Sequence, residues 1–267
     1  MLFAELEGHP GASVVLLHAH PDDETLATGG LMARLVADGY RVILLTGTRG
    51  ERGEVVPGPL QHLEGTPELA AVRVAELAVA MRALGVADHR FLGAAGARAA
   101  GLLPRTYSDS GMQWGPEGDA IAADDAPADA LSLAPLGEVV ADILSVIDET
   151  VPRLLVSYDE RGGYGHPDHV RMHDAAVEVS ERTGAPLYTV VAEWNGDAPA
   201  DAGDIVVPLA AHREAKFAAL AAHATQLTVD GGDIVLSGGQ RHTVAGTEVF
   251  RLFRSPDPLD SLGATAP

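Results

Sequence analysis

The sequence predicts an α/β protein built on a mainly parallel sheet flanked by helices. Three observations predict it. Short apolar runs alternate with longer stretches of helical spacing. The runs are almost continuously apolar, as strands covered on both faces must be. The two densest groups of charged residues each directly follow such a run, and open α/β sheets collect their ligand sites beyond the carboxyl ends of strands.

The elements follow in order. "SVVLLH" (13–18) reads as a strand, "TLATGGLMARLVADG" (25–39) as a helix and "RVILLT" (41–46) as the next strand. "PELAAVRVAELAVAMRALG" (67–85) has helical spacing and stops on Gly85, a natural C-cap. "HRFLG" (89–93) is a short strand. A second cycle runs through "LGEVVADILSVIDE" (136–149, helix), "RLLVSY" (153–158, strand), "PDHVRMHDAAVEVSERTG" (167–184, helix) and "PLYTVVAEW" (186–194, strand). Between the cycles, residues 93–135 are rich in Gly, Ala, Pro and Asp and include "YSDSGMQWGPEGD". A loop of that length is expected to be a functional lid or a mobile excursion. After about Asp201 come one helix, "AAHREAKFAALAAHATQ", and the strand-like "DIVLSGG" and "TEVFRLF", then a frayed "SPDPLDSLGATAP". The expectation is a Rossmann-like α/β domain over 1–200 with a smaller β-containing cap, 201–267, packed on it.

Composition narrows the function. With 267 residues, 46% of them hydrophobic, the chain is globular. No apolar run reaches the ~20 residues of a membrane span, and the acidic start "MLFAELEGHPGASVV" is unlike a secretory leader. The expected compartment is therefore the cytoplasm. A formal charge of −20 argues against nucleic acid and anionic membranes as partners. Self-association is left open. There are no cysteines, so a metal must be held by His, Asp or Glu.

The charged clusters are "HAHPDDET" (18–25) and "YDERGGYGHPDHVRMH" (158–173). Carboxylates crowded into a dry site need a positive charge among them, and a metal ion supplies it. His20 and Asp23 stand three apart across a Pro-containing turn, so both can reach one ion. Asp22 points elsewhere and is free to take a proton from an activated water. A helix beginning at Pro167 would put His169 in its first turn and His166 just before it. One of the two can then bind metal while the other faces substrate, with Asp168 fixing the His166 tautomer. His173 completes an H-x-x-x-H spacing, although a solvated histidine is the plainer reading. His18 reads as a satisfied core histidine or as one that supports a ligand from behind. Each cluster alone is a turn with a helix cap. Two at equivalent strand ends argue for one site, provided the two strands are sheet neighbours. No P-loop, dinucleotide fingerprint or G-x-S-x-G elbow is present. "HAHPDD" lacks the final His of the metallo-β-lactamase pattern, whose proteins are β-rich.

"AHPDDE" together with "GGYGHPDH" is similar to the LmbE-like, PIG-L superfamily of zinc-dependent N-acetylglucosamine deacetylases. "TRGERGEV", "AVRVAELAVAMRALGV", "YSDSGM" and "AHATQ" extend the resemblance to its mycothiol branch, over most of residues 13 to 229. The resemblance implies one Zn2+ per chain on His20, Asp23 and His169, with Fe2+ or another divalent ion as the alternative. It makes Asp22 the general base and His166 the cationic group that stabilises the oxyanion or protonates the amine, oriented by Asp168. Tyr164 helps polarise the amide carbonyl, and Arg73 and Asp109 hold sugar or inositol hydroxyls. The implied reaction removes the acetyl group from an N-acetylglucosaminyl-inositol or a similar small aminosugar. Relatives that cleave mycothiol S-conjugates carry a lysine shortly after the first motif, where "TLATGG" here has none. Deacylation of another N-acylated sugar or antibiotic, and a non-catalytic metal sensor, are the remaining alternatives.

Overall fold

In the computed structural model residues 2–115, 120–191 and 200–254 are described. The tip of the long loop (116–119), the last three residues of the expected strand 186–194 and the expected frayed tail (255–267) lie outside them. The elements in chain order are β1 (Ser13–His18), α1 (Asp23–Ala37), β2 (Arg41–Thr46), α2 (Glu68–Leu84), β3 (Asp88–Phe91), β4 (Met112–Trp114) and β5 (Ala120–Ala122). They continue with α3 (Leu136–Thr150), β6 (Leu154–Ser157), α4 (Pro167–Thr183), β7 (Leu187–Val190), β8 (Ile205–Pro208), α5 (Arg213–Ala222), β9 (Leu227–Asp230), β10 (Asp233–Leu236), β11 (Arg241–Thr243) and β12 (Thr247–Arg254).

Seven strands form the main sheet in the order β3-β2-β1-β6-β7-β12-β8. The first five are parallel, and β12 runs antiparallel to both its neighbours. Alternation along the strands divides the core in two. Val14, Leu16, Val42, Leu44, Leu154 and Val156 meet Leu31 and Leu35 of α1, Leu77 and Met81 of α2 and Ala219 of α5. Val15, Leu17, Ile43, Leu45 and Leu155 meet Val139, Ile143 and Val146 of α3 and Met172 and Ala176 of α4. Gly85, at φ 77°, ends α2 in the left-handed conformation expected of it. No described helix is long and apolar enough to cross a membrane.

The C-terminal segment splits. The three strands β9, β10 and β11 form a separate antiparallel sheet, while β8 and β12 continue the main one. Glu248 of β12 reaches into α1, where its carboxylate accepts from the amides of Gly30 and Leu31, both at 2.7 Å. Glycine leaves room there: a Cβ at position 30 would lie 1.9 Å from Leu209 Cδ2 and 2.9 Å from Glu248 Oε1. Lys216 of α5 completes the bridge, 2.7 Å from Glu248 and 2.8 Å from the Leu26 carbonyl. Both side chains are buried. Glu248→Ala would strand the ammonium, and breaking a buried pair costs about 3–5 kcal/mol. Urea unfolding of that variant should show a loss of this size.

Candidate metal centre and active site

β1 and β6 pair in parallel, Val14 with Leu154 through Leu16 with Val156, so the loops that follow them leave the sheet side by side. The strand order reverses at this junction, which is the topological switch point of the sheet. The neighbour relation on which the two clusters depend is met. α1 starts at Asp23 and α4 at Pro167, with His166 as its N-cap and proline in the first helical turn. Each cluster therefore sits where a strand end faces a helix N-terminus.

Three donor atoms close a triangle. His20 Nδ1 lies 3.2 Å from His169 Nε2 and 3.3 Å from Asp23 Oδ2, and His169 Nε2 lies 3.2 Å from the same oxygen. Tetrahedral ligands about 2.0–2.1 Å from zinc stand roughly 3.3 Å apart, so the triangle has the dimensions of three zinc ligands. The far ring nitrogens are also tied. His169 Nδ1 faces the Gly162 carbonyl at 3.2 Å, and His20 Nε2 faces Asp168 Oδ2 at 3.2 Å. Each bond puts the ring proton on the outer nitrogen and leaves the inner lone pair free for an ion. Tyr158 donates to Asp23 Oδ2 at 2.7 Å and stacks on His169 with ring centroids 4.2 Å apart. Burial works against charge on His20, but Asp109, Asp168 and Asp23 hold its pKa well above the usual value. The carboxylates around His20 thus favour positive charge at this point.

Other donor groupings pass through His166, with His20 and His169 or with His20, Asp109 and Asp168. The tautomer speaks against them. His166 Nδ1 accepts from the Asp168 amide at 3.2 Å, so the neutral ring carries its proton on Nε2 and presents a donor, not a lone pair. Burial and the adjacent His20 and His169 push His166 down to about 3. That direction runs against the cationic role the resemblance implies.

Asp168 also differs from expectation. Its carboxylate meets His20 and not the His166 ring. It is held by the Ser110 amide (2.9 Å), the Ser110 hydroxyl and the Ser132 amide (3.0 Å). Both serines come from the 93–135 segment, which thus builds a wall of the site.

Asp22 has φ 105° and ψ −36°, outside the regions that L-residues favour. Such strain costs of order 1–3 kcal/mol and persists only where the surroundings enforce it. Burial and the Asp23 carboxylate push its pKa up to about 7, against the pull of His223 and Arg73. Asp109 is buried and accepts from the amides of Gly111 (2.8 Å) and Arg52 (3.2 Å), with Oδ1 3.6 Å from His20 Nε2. Arg73 is buried too. It donates to the carbonyls of Gly50 and Glu54, so it clamps that turn. Tyr164 stands at the exposed rim, its ring 5.2 Å from His169 and 6.1 Å from His166. His173 is not solvated: it is buried, with Nδ1 2.9 Å from the Tyr158 carbonyl. His18 is a core histidine only half satisfied: Nε2 lies 3.0 Å from Thr28 Oγ1, while Nδ1 is buried without a partner.

A cavity of about 560 Å³ adjoins this centre, lined by Arg49, Glu51, Arg52, Glu64, Thr66 and Thr106 among others. Glu51 joins the two, since its Oε1 accepts from the Asp109 amide at 2.9 Å. Among the described residues, Arg49 Nη1 and Glu51 Oε2 are buried without partners.

Sequence reasoning missed Tyr158, Ser110, Ser132, Glu51 and a buried pair of Glu24 and His223. Tyr158 closes the run "RLLVSY" and His223 lies in "AHATQ", so both were in view without a role.

A family profile described as PIG-L, GlcNAc-PI de-N-acetylase, matches residues 15–180. A 1D-myo-inositol 2-acetamido-2-deoxy-alpha-D-glucopyranoside deacetylase of Nocardioides sp. is 37% identical over 90% of this chain and 91% of its own. The protein of the same name from Streptomyces avermitilis is 36% identical, covering 97% and 99%. Among solved structures, a deacetylase from the teicoplanin biosynthesis pathway shares the fold with a TM-score of 0.59 at 22% identity, over 90% of this chain and 98% of that one. By its sequence, the chain belongs to the PIG-L family.

Proposed function

We propose that the chain is a zinc-dependent hydrolase that removes the acetyl group from 1D-myo-inositol 2-acetamido-2-deoxy-α-D-glucopyranoside or a closely similar N-acetylglucosaminide. The observation that carries this is the triangle of His20, Asp23 and His169 at the switch point, with a second carboxylate, Asp22, beside it and outside it. Two imidazoles and one carboxylate suit zinc and leave a position open for chemistry. An ion held there supplies a Lewis acid that acidifies water and polarises the amide carbonyl.

The remaining steps belong to side chains. Asp22 takes the proton of the attacking water, and a carboxyl poised near neutrality suits a base working at pH 7. The neutral His166 offers its Nε2 hydrogen to the oxygen on which negative charge develops. Its neutrality favours this role over protonation of nitrogen, because giving the proton up would leave an imidazolate. Asp22 then passes the water proton to nitrogen as the C–N bond breaks, releasing acetate and a free amine. Asp168 keeps His20 in its ion-binding tautomer. Tyr164 stands at the mouth, where the amide enters.

The adjoining cavity accounts for the rest of the substrate. Its unpartnered guanidinium N–H and carboxylate oxygen form a donor and acceptor pair fit for neighbouring hydroxyls of a polyol ring. Asp109 links the two, with its amide on Glu51 and its carboxylate near His20, and Arg73 contributes through the turn it clamps. Small aminosugars and a cytoplasmic setting are the partner and compartment that go with this reading.

The test is zinc-loaded protein with the inositol glycoside, free N-acetylglucosamine and a bulky thiol conjugate, scoring acetate and free amine. The glycoside should be the best substrate. Glu51→Gln should reduce kcat/KM for the glycoside far more than for the free sugar, since unpaired polar groups discriminate strongly. Preference for the thiol conjugate would replace this reading with amidase activity.

A further inference from the structure

The strain at Asp22 has an identifiable holder. Asp22 and Val151 are the non-glycine residues at positive φ among those described. Val151, at φ 43° and ψ 61°, closes α3 in the left-handed helical region. Asp22 lies well outside that region. Its carbonyl accepts from the amides of Thr25 (2.9 Å) and Leu26 (2.8 Å), which ties one side of the residue to the first turn of α1. Its own amide donates to Glu24 Oε2 at 2.9 Å.

Glu24 is itself held from far away in the chain. Its other oxygen, Oε1, takes the Thr25 hydroxyl and stands 3.0 Å from His223 Nε2. His223 follows α5, and Gln226 Nε2 approaches its Nδ1 at 3.3 Å. Glu24 and His223 are both completely buried, and neither belongs to the triangle of His20, Asp23 and His169. A carboxylate and an imidazole shut away from water need each other. Here the carboxylate spends its second oxygen on a single backbone amide.

We propose that Glu24 and His223 are positioning residues for the reaction. His223 fixes the Glu24 carboxylate, and Glu24 fixes the amide of Asp22 in its strained conformation. That conformation gives two adjacent aspartates different work: Asp23 joins the two histidines while the Asp22 carboxylate enters none of their bonds. The inference rests on Asp22 being the base.

The experiment is a double-mutant cycle between His223→Gln and Asp22→Asn in the zinc-loaded full chain. Metal content, KM and kcat are measured on the inositol glycoside. His223→Gln should keep one ion per chain and near-normal KM while kcat falls by ~10²-fold, the scale of a misplaced reacting group. In the Asp22→Asn background the same substitution should cost nothing further, because the group it positions has already lost its function. Equal losses in both backgrounds would overturn the proposal, as would unchanged kcat in His223→Gln. If His223→Gln does not fold, Glu24→Gln, equal in size and a weaker acceptor, carries the same cycle with the same two outcomes. A wild-type protein that releases no acetate would instead sink the deacetylase reading itself, so the two failures are distinguishable.

Discussion

Asp23→Ala and His169→Ala proteins are expected to carry no bound metal and to show no measurable deacetylation. Each substitution removes one corner of a triangle whose sides are 3.2–3.3 Å. Two remaining donors cannot hold a divalent ion against its hydration. Stability gives a second readout, because an ion that binds only the folded state raises the melting temperature in proportion to the logarithm of its excess over Kd. A chelator should lower the melting temperature of the wild type and leave that of Asp23→Ala unchanged. His173→Ala, which alters a ring turned toward the Tyr158 carbonyl, should keep its ion. Full metal content in His169→Ala by elemental analysis would remove the ligand assignment.

Asp22→Asn separates chemistry from binding. The amide is nearly the size of the carboxylate and Asp22 is outside the triangle, so metal content and KM should hold. Turnover should drop by ~10²–10⁴, the usual contribution of a positioned base. Steady-state kinetics at neutral pH, with metal measured in the same samples, decide it. A kcat close to wild type would hand proton abstraction to another group.

Much of this site was legible because its residues are local. His20, Asp22 and Asp23 share one turn, His166 and His169 share one helix start, and apolar runs announce both strand ends. What was not legible depends on pairs far apart in sequence. Asp168 reads as a partner for the nearby His166, but the fold delivers His20 to it from 148 residues away. Arg73 reads as a sugar contact until the Gly50–Glu54 turn is seen to close over it. His173 looks solvated from spacing alone, but the fold brings the Tyr158 carbonyl and the Phe253 ring against it. In the fold, "TEVFRLF" announces a strand without saying which sheet it joins. Its place between β7 and β8 is set by pairing, not by local pattern.

That late strand has a consequence for how the protein is made. Chains are synthesised from the N-terminus, and early segments begin to organise before later ones exist. The loop bearing His20, Asp22 and Asp23 is therefore among the first parts to leave the ribosome. Glu248, which receives the Gly30 and Leu31 amides, is among the last of the described residues to follow. Until it arrives, the helix carrying the first half of the site lacks its internal brace, and His223 is also still to come. Stable closure of the candidate metal pocket is thus expected only after these later segments have folded. Metal capture is then expected to follow the arrival of β12, and a chain cut short before β12 should bind metal poorly.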